Sequence, residues 1–92
     1  GSHKEAGDAF EQVIKLEPSN GKAWHFWGIS LRMQGKYKEA VKAFKRLTEL
    51  QPRNPQAWVD LGIAYQKQGK DKDAKSAFDM VRAMGYEPPR AS

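Results

Sequence analysis

The chain has 92 residues, with 16 Lys plus Arg against 11 Asp plus Glu, a formal net charge of +5 and no cysteine. This length predicts one small domain, too short for an enzyme with a cleft between two lobes. The lack of cysteine excludes disulfides, cysteine-ligated zinc, iron–sulfur clusters and thiol nucleophiles; it leaves the compartment open, with the cytoplasm slightly favoured.

Residues 1–3, Gly-Ser-His, resemble the remnant of a cleaved expression tag, and we expect the rest to be a piece of a longer protein. After them, Ala6, Phe10 and Val13 lie at helical spacing and predict an amphipathic helix that Pro18 closes. This first helix presents an apolar stripe that calls for a packing partner.

Residues 22–34 predict a second helix that is apolar on more than one side. Such a helix is either buried on several sides or borders a groove. Ser19 or Asn20 can start it, and Gly35 can end it in a left-handed conformation.

The third predicted helix, residues 38–50, is amphipathic, with lysines opposite its apolar stripe, and Pro52 closes it. Asn54, followed by a proline in the first turn, predicts the start of a fourth helix, and Gly69 predicts its end. The apolar spacing of residues 72–84 predicts a fifth helix, amphipathic like the third.

The sequence repeats itself at an offset of 34 residues, and the windows 21–54 and 55–88 match at 11 of 34 positions. Ordinary composition gives about two such matches by chance, so the repeat is real. The same offset runs backwards and pairs Phe44 with Phe10. Charge differs between the windows, because 21–54 carries eight positive and two negative groups whereas 55–88 carries five of each.

The motifs of the two windows are Trp24-x2-Trp27-Gly28-x2-Leu31, Ala40-x3-Phe44 and Pro52, then Trp58-x2-Leu61-Gly62-x2-Tyr65 and Ala74-x3-Phe78. Both resemble the tetratricopeptide repeat (TPR) pattern W-x2-L-G-x2-Y, A-x3-F, P. The first copy carries Trp27 and Leu31 where the pattern has Leu and Tyr. The second departs from the pattern at Tyr86, where proline is expected.

The resemblance implies an all-α fold of helix-turn-helix units stacked into a right-handed superhelix, an α-solenoid, whose first helices line a concave, peptide-binding face. A single helix pair cannot bury its own apolar face, so its neighbours must complete the core. We therefore expect a tag remnant, the second half of one repeat, two whole repeats and a tail, at residues 1–3, 4–20, 21–54, 55–88 and 89–92.

We define the candidate groove as the first-helix residues that lie outside the Trp-Gly-Tyr core stripe. They are Lys22, His25, Phe26, Ile29, Arg32 and Met33 in one repeat, and Gln56, Val59, Asp60, Ile63, Gln66 and Lys67 in the next. The expected apolar floor comprises Phe26, Ile29, Val59 and Ile63. The alternative is that some of these residues contact a following repeat. We favour a peptide groove, because stacking leaves this apolar face without a partner.

Some members of the family hold the C-terminal carboxylate of chaperone peptides with a clamp of Lys and Asn side chains. Here His25, Ile29 and Asp60 stand where the first residues of that clamp would be expected. Asp60 would repel a carboxylate. We therefore expect the groove to bind an apolar or mixed segment and not a chaperone tail.

His25 and Asp60 can face each other across adjacent helices, an arrangement that would suit acid–base chemistry. No convincing nucleophile accompanies them, because Ser19 suits a helix cap, and Ser30 and Ser76 lie among helix-packing residues. One histidine with one carboxylate is also a weak metal site. We predict no enzymatic activity, no cofactor and no metal, and we expect the pair to be two solvated polar residues.

Four basic residues cluster on the third helix, and we call them the Lys stripe: Lys38, Lys42, Lys45 and Arg46. Such a stripe can attract nucleic-acid phosphate or an acidic protein. It lacks interleaved exposed aromatic residues or glycines that would position bases or phosphates. We therefore expect it to serve solubility and expect no nucleic-acid partner.

The sequence as a whole predicts a protein–protein interaction scaffold that binds a peptide or protein segment in its groove, within a larger protein or assembly. One alternative is a basic module that contacts nucleic acid, recognisable by a steep salt dependence. The other is a structural spacer that stacks end to end. Because apolar side chains are expected at both ends, we also predict a homodimer with Phe10 at or near the contact. No membrane insertion is expected.

Overall fold

The computed structural model describes residues 2–89, apart from the side chains of residues 2–4 and 6. These residues form five α-helices and no β-strand: α1 (Ser2–Leu16), α2 (Gly21–Met33), α3 (Tyr37–Leu50), α4 (Pro55–Gln68) and α5 (Asp71–Ala83). Each helix packs against its neighbours in sequence. This is the predicted all-α stack, in which α1 precedes the whole pairs α2–α3 and α4–α5. The first residue of the predicted tag remnant, Gly1, and residues 90–92 of the predicted tail lie outside the described residues.

Asparagine side chains start the first helix of each pair. The Oδ1 atom of Asn20 accepts a hydrogen bond from the amide of Ala23 at 3.1 Å. Asn54 Oδ1 accepts one from the amide of Gln56 at 3.0 Å. Each bond satisfies an amide that has no partner within the first turn of the helix. Asn20, and not Ser19, is therefore the cap of α2.

The turns that end α2, α4 and α5 each contain a glycine in the left-handed conformation. The φ angles are 77° at Gly35, 83° at Gly69 and 91° at Gly85. Residues that carry a Cβ rarely adopt this conformation, whereas glycine does so without steric penalty. The glycines at 35 and 69 were predicted to end their helices, and the structure confirms both.

The segment after α5 differs from the expected tail. The left-handed Gly85 turns the chain back, and the amide of Tyr86 bonds to the carbonyl of Val81 at 3.2 Å. Pro88 is buried and borders, together with Phe78, a cavity of about 470 Å³. The last pair is therefore partly covered, which corrects the expectation of a bare apolar end there.

The core of each pair is a phenylalanine ring of the second helix, seated on a glycine of the first helix. Phe44 is fully buried, and a Cβ atom added to Gly28 would lie 2.5 Å from its ring carbon Cε1. Phe78 and Gly62 repeat this arrangement, with the same 2.5 Å approach. A glycine inside a helix costs about 1 kcal/mol relative to alanine, and here the ring needs the space that a side chain would take.

A tryptophan in each whole repeat bonds to the loop that precedes its own helix. The indole Nε1–H of Trp24 donates to the carbonyl of Pro18 at 2.8 Å. Trp58 donates to the carbonyl of Pro52 at 2.9 Å. Both prolines belong to the preceding repeat, so these two bonds tie consecutive repeats together.

The variant Gly62→Ala should lower the free energy of unfolding by about 1–3 kcal/mol, because the new Cβ would overlap the Phe78 ring. Alanine alone would favour the helix by about 1 kcal/mol, so the sign of the change separates packing from helix propensity. Urea unfolding of the variant measures it. In a Phe78→Leu background the same substitution should cost less, and a stabilised Gly62→Ala protein would contradict the packing argument.

Candidate functional site

The candidate groove runs along α2 and α4, and all twelve of its residues are exposed or half-buried. Phe26 and Met33 expose 39% and 54% of their surface, which is high for large apolar residues. Ile29 is half-buried and packs against the central core. The expected apolar floor is thus accessible at Phe26, whereas Ile29 is shared with the core.

His25 of α2 and Asp60 of α4 meet across the two helices. The Nε2 atom of His25 lies 3.0 Å from Oδ2 of Asp60. An ionised carboxylate can only accept a hydrogen bond, so Nε2 must carry the proton in this contact. The predicted juxtaposition of the two residues is confirmed.

The expectation that both residues are solvated is wrong for Asp60. Its side chain is only 14% exposed, against 30% for His25, and Oδ2 has essentially no contact with solvent. The amide Nε2 of Gln56 donates to the other carboxylate oxygen, Oδ1, at 3.0 Å. The two oxygens therefore have protein partners in place of water.

Burial raises the pKa of Asp60 above its ordinary value, because desolvation disfavours the charged carboxylate. The hydrogen bond from Gln56 and the positive charges of His25 and Arg32 oppose this effect without cancelling it. Arg32 is thus electrostatically coupled to the pair. The centre of the candidate groove is a buried carboxylate surrounded by groups that favour its charged form.

An aromatic series continues the groove towards α1. The ring of Phe26 lies 5.2 Å from that of His25 and stacks on Phe10 of α1 at 5.5 Å, with 19° between the planes. Such offset pairs are favourable beyond the area they bury. Beside them is a cavity of about 310 Å³, lined in part by Phe10, Val13, Lys22 and Phe26. The α1 stripe was expected to lack a partner, but α2 covers part of it.

Two predicted groove residues lie apart from this centre. Lys67 borders a shallow depression with the loop from Gly35 to Glu39. Gln66 borders the cavity at the C-terminal end, together with Pro88. The predicted set of twelve therefore forms a central group and two peripheral positions, and the peripheral ones serve different surfaces.

Sequence reasoning missed Phe10 as a neighbour of the groove. The signal was present, because the repeat offset places Phe10 in register with the core residues Phe44 and Phe78. A residue in that position packs against the first helix of a pair. In α1 it uses the next available helix, α2, through Phe26. The predicted homodimer through Phe10 stays a prediction.

The arrangement offers little for catalysis or metal binding. His25 and Asp60 bond to each other, and the described residues contain no cluster of three or more His, Cys, Asp or Glu side chains that could hold an ion. The groups present suit recognition: exposed apolar rings, a hydrogen-bonded polar pair and nearby cations. No helix within residues 2–89 combines the length and apolar character needed to cross a bilayer.

The Lys stripe of α3 is exposed at every position. Arg46 pairs with Glu49 one turn later at 3.3 Å, in an exposed ion pair that contributes little stability. The stripe faces away from the central group of the candidate groove, since α3 contributes no residue to it.

Two family models match the chain. One, described as TPR repeat, covers residues 28–69, and the other, described as tetratricopeptide repeat, covers residues 56–83. The matches overlap and include both glycine–phenylalanine contacts of the core. The chain belongs to the tetratricopeptide repeat family. TPR repeats generally mediate protein–protein interactions, and TPR folds of this kind are typically non-enzymatic scaffolds.

Among solved structures, this TPR chain resembles a crystal structure of the MamA protein, with a TM-score of 0.84 and 21% sequence identity. The superposition covers 98% of this chain and 52% of the MamA chain, so the TPR chain spans about half the length of that protein. The likeness shows a shared fold. A comparison with curated protein sequences gives no match.

The variant Asp60→Asn should unfold with a free energy equal to or above that of the wild type at pH 7. The pKa of Asp60 is raised in the folded state, so this carboxyl contributes most stability when protonated and loses that contribution as pH rises through the folded pKa. Asparagine mimics the protonated form at every pH. The advantage of the variant should therefore shrink as pH falls towards the ordinary pKa of aspartate.

Urea unfolding of both proteins between pH 7 and pH 4 measures this difference. Glu17→Gln, a substitution at an exposed residue just after α1, is the control and should change stability by less than about 0.5 kcal/mol. A variant at position 60 that is clearly less stable than the wild type at pH 7 would show that the bond to His25 outweighs the cost of burial.

Proposed function

We propose that the chain is a protein-binding scaffold that holds a segment of another protein along the candidate groove. The observation that supports this most directly is the exposed Phe26 ring beside the cavity of about 310 Å³ that it forms with Phe10. An apolar side chain entering such a cavity would exclude water from both rings. Anchors of this kind supply most of the affinity in protein interfaces.

The polar centre gives the groove its orientation. The bond between His25 and Asp60 joins α2 to α4, and Gln56 holds the second carboxylate oxygen. A surface whose side chains are already ordered loses less conformational entropy on binding. The groove therefore offers a rigid centre next to its apolar anchor site.

The bound segment should combine an apolar anchor with polar or acidic neighbours. Lys22 lies beside the apolar cavity, and Arg32 lies near enough to Asp60 to influence its titration. Asp60 is neutralised by its own partners, which leaves cations to set the charge of the central surface. This supports a mixed segment in place of the carboxylate clamp of chaperone-binding TPR proteins.

We also propose that the scaffold is not an enzyme. The candidate acid–base pair is engaged in a structural bond that links two helices. Ser76, one of the hydroxyls considered as a nucleophile, donates to a backbone carbonyl of its own helix at 3.2 Å. These contacts support binding as the role of the groove.

Replacing the anchor should weaken binding. The probe is a peptide selected from a displayed random library on the wild-type chain. Phe26→Ala combined with Ile63→Ala should reduce its affinity by at least about tenfold, because apolar contacts in a desolvated site are lost. Titration calorimetry measures the affinity, and circular dichroism should show unchanged helix content.

Leu16→Ala is the matched control, because Leu16 is a large apolar residue that is 84% exposed and lies outside the groove. Its affinity for the same peptides should equal that of the wild type. If every selected peptide binds the double variant as tightly as the wild type, with helicity intact, the groove is not the binding site.

The Lys stripe should contribute little to this function. Replacing Lys38, Lys42 and Lys45 together by glutamine should change the free energy of unfolding by less than about 0.5 kcal/mol per site, because these side chains are exposed. Affinity for the selected peptides should also stay within about twofold. A steeply salt-dependent binding of RNA or DNA by the wild type, lost in the triple variant, would favour the nucleic-acid-contacting alternative.

A further inference from the structure

A second apolar groove lies between α3 and α5, with α4 as its floor. Its volume is about 410 Å³, and we define this α3–α5 groove by Thr48, Trp58, Leu61, Tyr65, Ala77 and Met80. The twelve residues of the candidate groove, all of them described, lie on other surfaces. The α3–α5 groove is therefore a separate feature of the stack, formed mainly by its second helices.

The polar groups that line the α3–α5 groove already have partners inside the protein. The Trp58 indole N–H donates to the carbonyl of Pro52 at 2.9 Å. The Thr48 hydroxyl donates to a backbone carbonyl of its own helix at 2.7 Å, and the Ser76 hydroxyl does the same at 3.2 Å. What the groove offers to a ligand is therefore chiefly apolar and aromatic surface.

The internal repeat shows what kind of group fits next to Trp58. Trp24 is its equivalent one repeat earlier, and the ring of Trp27 lies 5.6 Å from Trp24 with 49° between the planes. The residue equivalent to Trp27 in the second repeat is Leu61. The first repeat thus packs two indoles side by side, whereas the second has one indole and a smaller aliphatic neighbour at the groove floor.

We propose that the α3–α5 groove binds the indole ring of a tryptophan side chain presented by a partner protein, alongside Trp58. Two features of the rim suit this ligand. Met80 is 40% exposed, and its thioether can contact an aromatic ring favourably. Asp73 and Glu49 also line the groove and offer carboxylates that can accept the indole N–H.

The experiment uses N-acetyl-L-tryptophanamide as the probe and the full chain as the protein. In ¹H–¹⁵N correlation spectra, the amide resonances of Thr48, Ser76 and Met80 should shift and saturate as the probe is added. N-acetyl-L-leucinamide should bind at least tenfold more weakly. Equal binding of the two probes, or shifts confined to the Phe10 and Phe26 cavity, would overturn the proposal.

Two variants test the location. Leu61→Trp with Tyr65→Leu rebuilds the pair found in the first repeat, fills the groove and should weaken probe binding at least tenfold. Met80→Arg, which introduces the residue found at the equivalent position 46, should weaken binding severalfold and is available should the double variant not fold. Phe26→Ala should leave probe binding unchanged. Binding that survives both groove variants would overturn the proposal.

Discussion

The fold depends on one steric constraint, the seating of a phenylalanine ring on a bare stretch of helix backbone. Phe44 occupies the space above Gly28, and Phe78 occupies the space above Gly62. Each contact fixes how closely the two helices of a pair approach and how they are rotated about their axes. The surfaces on the outer sides of the pairs follow from it, because the side chains that do not face the ring are directed to one groove or the other.

The period of 34 residues made most of the fold predictable from the sequence. Any position with an equivalent in another repeat has a template, so the helices, the left-handed glycines and the asparagine cap of α4 could all be inferred. The segment after α5 lacks this support. Gly85 stands where the preceding repeat has Gln51, and it reverses the chain where Gln51 does not. The burial of Pro88 follows from that change, which period and composition do not describe.

The candidate site was predictable in its membership and less so in its environment. Adjacent first helices place His25 near Asp60, and this required only the repeat and helical spacing. The burial of Asp60 depends on how neighbouring side chains fill space. A hint was present, because Asp60 occupies the position that Phe26 has in the previous repeat, a site in contact with the aromatic residues around it. Peripheral residues such as Lys67 depend on loop geometry, for which helical spacing gives no information.

The bonds from tryptophan to proline carbonyls bear on how such a chain can lengthen during evolution. Trp58 donates from its own repeat to Pro52 of the one before, and Trp24 does so to Pro18. A duplicated block of 34 residues would bring a new donor and a new acceptor in matching positions, together with its own glycine and phenylalanine. An insertion of any other length would separate donor from acceptor and shift the ring from its seat. Duplication of whole blocks is therefore the route of growth that preserves every contact between repeats.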